Sequence, residues 1–211
     1  MKRAVLAIAV IIGISLAQVN AQNDIPNAAK ITGGLKAETN LSNFILSGMS
    51  DAKSKMNFGA TFGGFLNLDV SKYFAIQGEL LYHYKSSDLV RNGIKSEYQY
   101  WGIEIPIYAM FQWKTNENRR AYIGIGPYTE FGFSAKMRRD GETIDLYEKD
   151  KSAMLDSNSG FGVIVGYEFA RRIQINAGYK ISITNILDGN SSSVTLLPAA
   201  ISLGIGYRFG K

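Results

Sequence analysis

The sequence predicts an all-β fold, a closed eight-stranded antiparallel transmembrane β-barrel with short periplasmic turns and longer extracellular loops. Three observations predict it. The chain opens with an export signal; eight segments then alternate apolar and polar residues at a period of two; and the connections alternate between short and long.

The export signal is read first. Lys2 and Arg3 precede an apolar run over residues 4–17 that ends in Val19-Asn20-Ala21, the order of a secretory signal peptide cleaved after Ala21. The run is shorter than the roughly 18 to 20 apolar residues of a helix that crosses a bilayer. Cleavage removes two basic residues, so of 23 Lys plus Arg, 21 remain against 18 Asp plus Glu, a net charge of +3. So small an excess gives no reason to expect a nucleic-acid partner. The chain has no cysteine, which excludes a disulfide framework, a thiolate metal site and a lipidated cysteine. Membrane attachment therefore has to come from the fold. The expected organisation is a signal peptide over residues 1–21, a short periplasmic segment over 22–29 and one barrel domain over 30–211.

A strand whose faces meet lipid and lumen should alternate for about ten residues. The first segment places Ile31, Gly33, Leu35, Ala37, Thr39 and Leu41 on one parity and Lys30, Thr32, Gly34, Lys36, Glu38 and Asn40 on the other. The next carry Phe58, Ala60, Phe62, Leu66 and Leu68, then Phe74, Ile76, Leu80, Tyr82 and Tyr84. The fourth runs from Trp101 through Ile103, Ile105, Ile107, Ala109 and Phe111 to Trp113, and the fifth carries Ile123, Ile125, Thr129, Phe131 and Phe133. The last three carry Phe161 to Phe169, Ile173 to Ile183 and Ala199 to Phe209 on alternate positions. Eight is an even count, as bacterial barrels require. Apolar parities facing lipid distinguish this fold from a soluble eight-stranded carrier, which would turn them inward around a ligand.

Short turns are expected at Ser71-Lys72, residues 115–120 and Ala170-Arg171. Longer polar loops are expected over residues 42–55, 86–95, 136–156 and 187–193. In transmembrane barrels the short turns face the periplasm. Trp101 and Trp113 share a parity twelve residues apart, a vertical span of roughly 28 Å at ordinary rise and tilt, close to the height of the apolar band. With Phe74, Tyr84, Tyr207 and Phe209 they form the expected aromatic girdles.

The polar parity describes the lumen. Gly124, Gly126, Gly160, Gly162, Gly166, Gly204 and Gly206 make room there for Tyr108, Tyr122 and Tyr128. Lys36, Glu38, Glu79, Glu104, Glu130 and Lys180 fall at middle heights, with Lys30, Glu168 and Arg208 near the periplasmic end. Charges withdrawn from bulk water must be paired or neutralised. The expectation is that carboxylates from strands three to five reach Lys36 and Lys180, with Glu168 and Arg208 pairing below.

The segments WGIEIPIY over residues 101–108, YIGIGPY over 122–128 and the GYxF ending at 206–209 resemble the PorT-like outer-membrane β-barrel family of Bacteroidota. The resemblance covers residues 31–209 and implies an eight-stranded outer-membrane barrel, one branch of the family serving gliding or type IX secretion. It brings no catalytic residues. The last strand also resembles the signal read by the barrel-assembly machinery, through Ser202, Gly204, Tyr207 and Phe209, although Gly210 and Lys211 follow the final aromatic.

Other chemistry has few places to reside, and no cofactor or metal is expected. His83, the single histidine, lies on the lumen parity near Ser86 and Ser87; a lipid-modifying hydrolase near the outer rim is the alternative to a non-enzymatic barrel. The charged stretch over residues 136–156, with Arg138, Arg139, Asp140, Glu142, Lys149 and Asp150, is the expected contact for an envelope protein partner. Outer-membrane lipids and lipopolysaccharide are the expected surroundings.

Overall fold

A computed structural model describes residues 30–48, 51–116, 119–147, 154–170, 172–187 and 194–209. The signal-peptide and N-terminal segment readings lie outside the described residues, as do Lys149, Asp150, Gly210 and Lys211.

Nine strands are described: β1 (Lys30–Ser47), β2 (Ala52–Asp69), β3 (Phe74–Arg91), β4 (Ile94–Asn116), β5 (Arg119–Arg139), β6 (Glu142–Asp145), β7 (Ser157–Phe169), β8 (Ile173–Ser182) and β9 (Thr195–Phe209). Eight of them form a ring in which each pairs antiparallel with its chain neighbour, β5 with β7, and β9 returns to β1. Closure satisfies the backbone groups that an open edge would expose to lipid. β6 pairs only with the outer end of β5 and is an addition that the period-two reading does not contain.

The side chains sort by parity as the alternation dictates. Phe58, Phe62, Ile107, Ile125, Ile175, Leu203 and Ile205 are exposed, whereas Lys36, Glu79, Glu104 and Glu130 are each no more than 4 % exposed. A soluble carrier would show the reverse. Beside the inward tyrosines Tyr108 and Tyr122, a Cβ on Gly166 would collide with the Tyr122 ring, so glycine is required at this close approach.

Two of the expected long loops are not loops. β1 and β2 run on to Ser47 and Ala52, and β3 and β4 meet across the two-residue turn Asn92-Gly93, where both residues have positive φ (51° and 78°). Asp140-Gly141 makes the same kind of turn between β5 and β6. Asn-Gly and Asp-Gly favour the left-handed conformations that match strand twist, so the polar stretches continue as ribbons. β4 has 23 residues, against the roughly 9 to 11 that cross a bilayer. Its outer part, from Ile94 to Tyr100, stands beyond the apolar band that ends at Trp101.

At the base of those ribbons the polarity of the faces inverts. Two bulges lie at one level, between Met56 and Ala60 on β2 and between Trp101 and Gly102 on the β4–β5 pair, joined through the register Ala60↔Tyr84↔Trp101↔Ser134. On β4 the outward parity reads Ile107, Ile105, Ile103, Trp101 and then Gln99, Glu97, Lys95, while the inward one passes from Glu104 to Tyr100 and Tyr98. β5 carries an extra residue, Phe133, which shifts its phase. Ala135 and Met137 thereby join Tyr100 and Tyr98 inside, and Lys136 and Arg138 join Gln99 and Glu97 outside. Above the bulges Ala135, Leu146, Met154, Ile186 and Leu196 form a buried cluster, flanked by Phe44, Leu46, Tyr98, Tyr100, Met137 and Tyr147. The outer end is thus a small apolar core capping a polar lumen.

Candidate functional site

The lumen is built in tiers, because each inward-facing position of a narrow ring lies within side-chain reach of the opposite wall. In the lowest tier Arg120 donates to Gln112 at 2.7 Å and to Glu168 at 3.1 Å. Arg208 lies 2.9 Å from the same Glu168 oxygen, to which Gln174 donates at 2.9 Å. Gln112 also donates to Asp69 at 3.0 Å. Lys30, exposed at the start of β1, stands apart from this tier.

The middle tier is anchored on three lysines. Lys36 lies 2.7 Å from Glu38 and 3.1 Å from Glu79, which also accepts a hydrogen bond from Gln77 at 2.7 Å. Lys180 pairs with Glu104. Lys85 bridges Glu104 at 3.1 Å and Glu130 at 2.6 Å. These carboxylates and lysines are nearly or fully withdrawn from solvent. Pairs of this kind do not add much net stability, since desolvation offsets their attraction, but removing one partner leaves a costly bare charge.

Of the interior residues expected from the sequence, the structure brings together Lys36 with Glu38 and Glu79, Lys180 with Glu104, and Glu168 with Arg208. Glu130 pairs instead with Lys85 and lies 2.9 Å from His83 Nε2. Lys85, Arg120 and Gln112 were missed. Lys85 is two residues above His83 on the same parity, the signal that could have found it; Arg120 falls inside the expected turn over residues 115–120. The girdle residues Trp101, Trp113, Phe74, Tyr207 and Phe209 are exposed on the outward parity, and Tyr84 packs on Trp101 with ring centroids 4.4 Å apart.

The residues of the hydrolase alternative are placed as follows. His83 is fully buried against Tyr100 with ring centroids 5.4 Å apart, and its Nε2 is turned to Glu130 at 2.9 Å. The Ser87 hydroxyl donates to the Ser42 carbonyl at 2.9 Å, and the Ser86 carbonyl accepts from Ser42. His83, Glu104 and Glu130 offer ligand atoms within 4.8 Å of one another. Lys85 and Lys180 already hold both carboxylates, so a divalent ion would have to approach two ammonium groups. Above this tier a cavity of about 40 Å³ lies between Lys85, Tyr128, Asn158 and the cap residues Phe44, Tyr98 and Leu146. In the cap itself, burial raises the pKa of the Tyr147 phenol and keeps it a neutral hydroxyl.

Residues 17–188 match the family described as "Outer membrane protein beta-barrel domain". The chain belongs to this family. As an outer-membrane barrel it is located in the outer membrane, and its apolar parity is the outward-facing one. It is similar in structure to OprG from Pseudomonas aeruginosa, at 14 % identity and a TM-score of 0.47, with 86 % of this chain and 95 % of that one covered. It is also similar to Ail, the attachment invasion locus protein of Yersinia pestis, at 16 % identity and a TM-score of 0.43, covering 84 % and 98 %. Neisserial surface protein A matches at 16 % identity and a TM-score of 0.43, covering 85 % and 99 %. No curated protein matches the chain by sequence.

Proposed function

We propose that this chain is an exported, non-enzymatic outer-membrane barrel with a plugged lumen, serving a structural, surface-binding or secretion-accessory role through its outer end, in the PorT-like outer-membrane β-barrel family of Bacteroidota. The observation that carries the plugged lumen is the stacking of two ion-paired tiers beneath an apolar cap. The cavity left between network and cap has room for only a few waters, at roughly 10 to 15 Å³ each. A pore needs a continuous wet path, and each tier instead spends its charges on partners across the lumen. The same burial disfavours the hydrolase alternative, because His83 lies beneath Tyr100 with Nε2 turned to Glu130, and the Ser87 hydroxyl is spent on the Ser42 carbonyl.

Conductance in planar bilayers tests the reading. Reconstituted protein should give no large, steady current, and a stable open level would contradict the plugged lumen. The mature protein should begin at Gln22 and migrate differently on gels before and after boiling, as a closed barrel that keeps its structure in detergent does. Recognition is assigned to residues 136–156. Their removal should leave heat-modifiable, membrane-inserted protein while abolishing copurification of envelope proteins; failure to insert would make the stretch structural.

A further inference from the structure

The two exposed rims differ in charge. Around the outer ribbons Lys53, Lys55, Arg91, Lys95, Lys136, Arg138 and Arg139 are interleaved with Asp51, Asp88, Glu97, Asp140, Glu142, Asp145 and Asp156, so the signs balance. Among the residues whose side chains are described, the exposed charges at the short-turn rim are Lys72 in the β2–β3 turn, Arg119 at the start of β5 and Arg172 in the β7–β8 turn, besides Lys30 opposite Asp69. Glu117 lies outside the described residues. Among the described residues, Lys72, Arg119 and Arg172 have no carboxylate within ion-pair distance. Asp69 and Glu168, the acids nearest this end, face Arg120 and Arg208 in the lumen.

Lys72 and Arg172 are held against the outward aromatic surface, and Arg119 lies on the same outward face. Lys72 lies 5.3 Å from the centroid of the Tyr73 ring, which stacks on Phe111 with centroids 6.4 Å apart, and Phe111 in turn meets Trp113. Arg172 donates to the Tyr207 hydroxyl at 2.8 Å, and Tyr207 packs edge-on against Phe209. Arg119 shares the outward parity of β5 with Ala121, whose cross-strand partners are Trp113 and Tyr167. Amphipathic rings of this kind sit at headgroup depth. A cation held beside one is at the height of lipid phosphates, while its alkyl stem covers apolar surface.

We infer that the short-turn rim is a binding site for anionic glycerophospholipid headgroups of the periplasmic leaflet, with Lys72, Arg119 and Arg172 as the phosphate-binding cations. The inference rests on the reading that the short turns face the periplasm. A zwitterionic headgroup leaves the rim's charge uncompensated, whereas an anionic one neutralises it. Lys72 and Arg172 lie beside different turns, so the site takes several lipids around the ring.

Native mass spectrometry of the barrel, released from nanodiscs of equal phosphatidylglycerol and phosphatidylcholine, reads the lipids that stay bound. Retention of phosphatidylglycerol over phosphatidylcholine is expected, falling by about fivefold for each of Lys72→Gln, Arg119→Gln and Arg172→Gln. Lys53→Gln with Lys55→Gln, at the other end, should leave it unchanged. Heat-dependent gel migration verifies that each variant folds. Equal retention of the two lipids, or a preference that survives the triple variant or disappears with the outer pair, would overturn the site. The leaflet is tested separately, because the cysteine-free chain permits single labels. Thr115→Cys should be protected from an impermeant maleimide in intact cells; if it is labelled, the orientation is wrong even where headgroup binding persists.

Discussion

The same strands build two regions that obey opposite rules. Between Trp113 and Trp101, β4 turns isoleucines outward and Glu104 inward; from Gln99 to Lys95 it turns polar side chains outward, and Tyr98 and Tyr100 inward. The membrane part is a barrel whose solvent is hydrocarbon, so its stability rests on satisfying polar groups inside. The outer part is an ordinary small core in water, held by apolar burial. On β5 the change takes one extra residue, Phe133, whose bulge shifts the strand's phase at the level of the aromatic girdle, and β2 bulges at the same level.

The largest effect that separates the regions is expected in the membrane part. Lys180→Met leaves Glu104 with Lys85 alone, and breaking a buried pair costs about 3 to 5 kcal/mol; urea unfolding from lipid should show it. A loss below about 1 kcal/mol would mean that the tier is hydrated. Ile107→Lys, in mid-membrane on the outward face, should cost about 2 to 4 kcal/mol by the same assay, since charge on the lipid face is penalised most at the midplane. Met137→Ala, half-buried in the cap, should cost about 1 to 2 kcal/mol, below the range for fully buried methionines. It should also raise proteolysis of the outer ribbon while leaving heat-modifiable migration intact. Smallest of all, Lys136→Gln on the outward face above the bulge should change stability by less than about 0.5 kcal/mol, although it shares a strand with Ile125, where a polar substitution is expected to be costly.

Much of the membrane part was legible in the sequence because its period of two is uninterrupted: the parities of β1, β4 and β9 read directly, and with them the inward charges. The partners were less legible. Lys36 and Glu79 are 43 residues apart, and which carboxylate faces which lysine depends on the stagger of the ring, which alternation does not encode. Glu130 accordingly meets Lys85 and His83 where Lys36 or Lys180 was expected. The outer part was hidden for another reason. Polar residues at 42–55 and 86–95 suggest loops until the turn chemistry of Asn92-Gly93 is weighed, and one inserted residue makes the pattern of β5 change meaning partway along.

Nitroxide labels at successive single cysteines on the outward parities of β4 and β5 test the inversion most directly. Positions 107, 105 and 103 should collide with dissolved oxygen and be shielded from a water-soluble nickel complex, while positions 99, 97 and 136 should show the reverse. The crossover is predicted at Trp101. If positions 99 and 136 behaved like position 105, the apolar band would continue past the bulges and the account of two regions would be wrong.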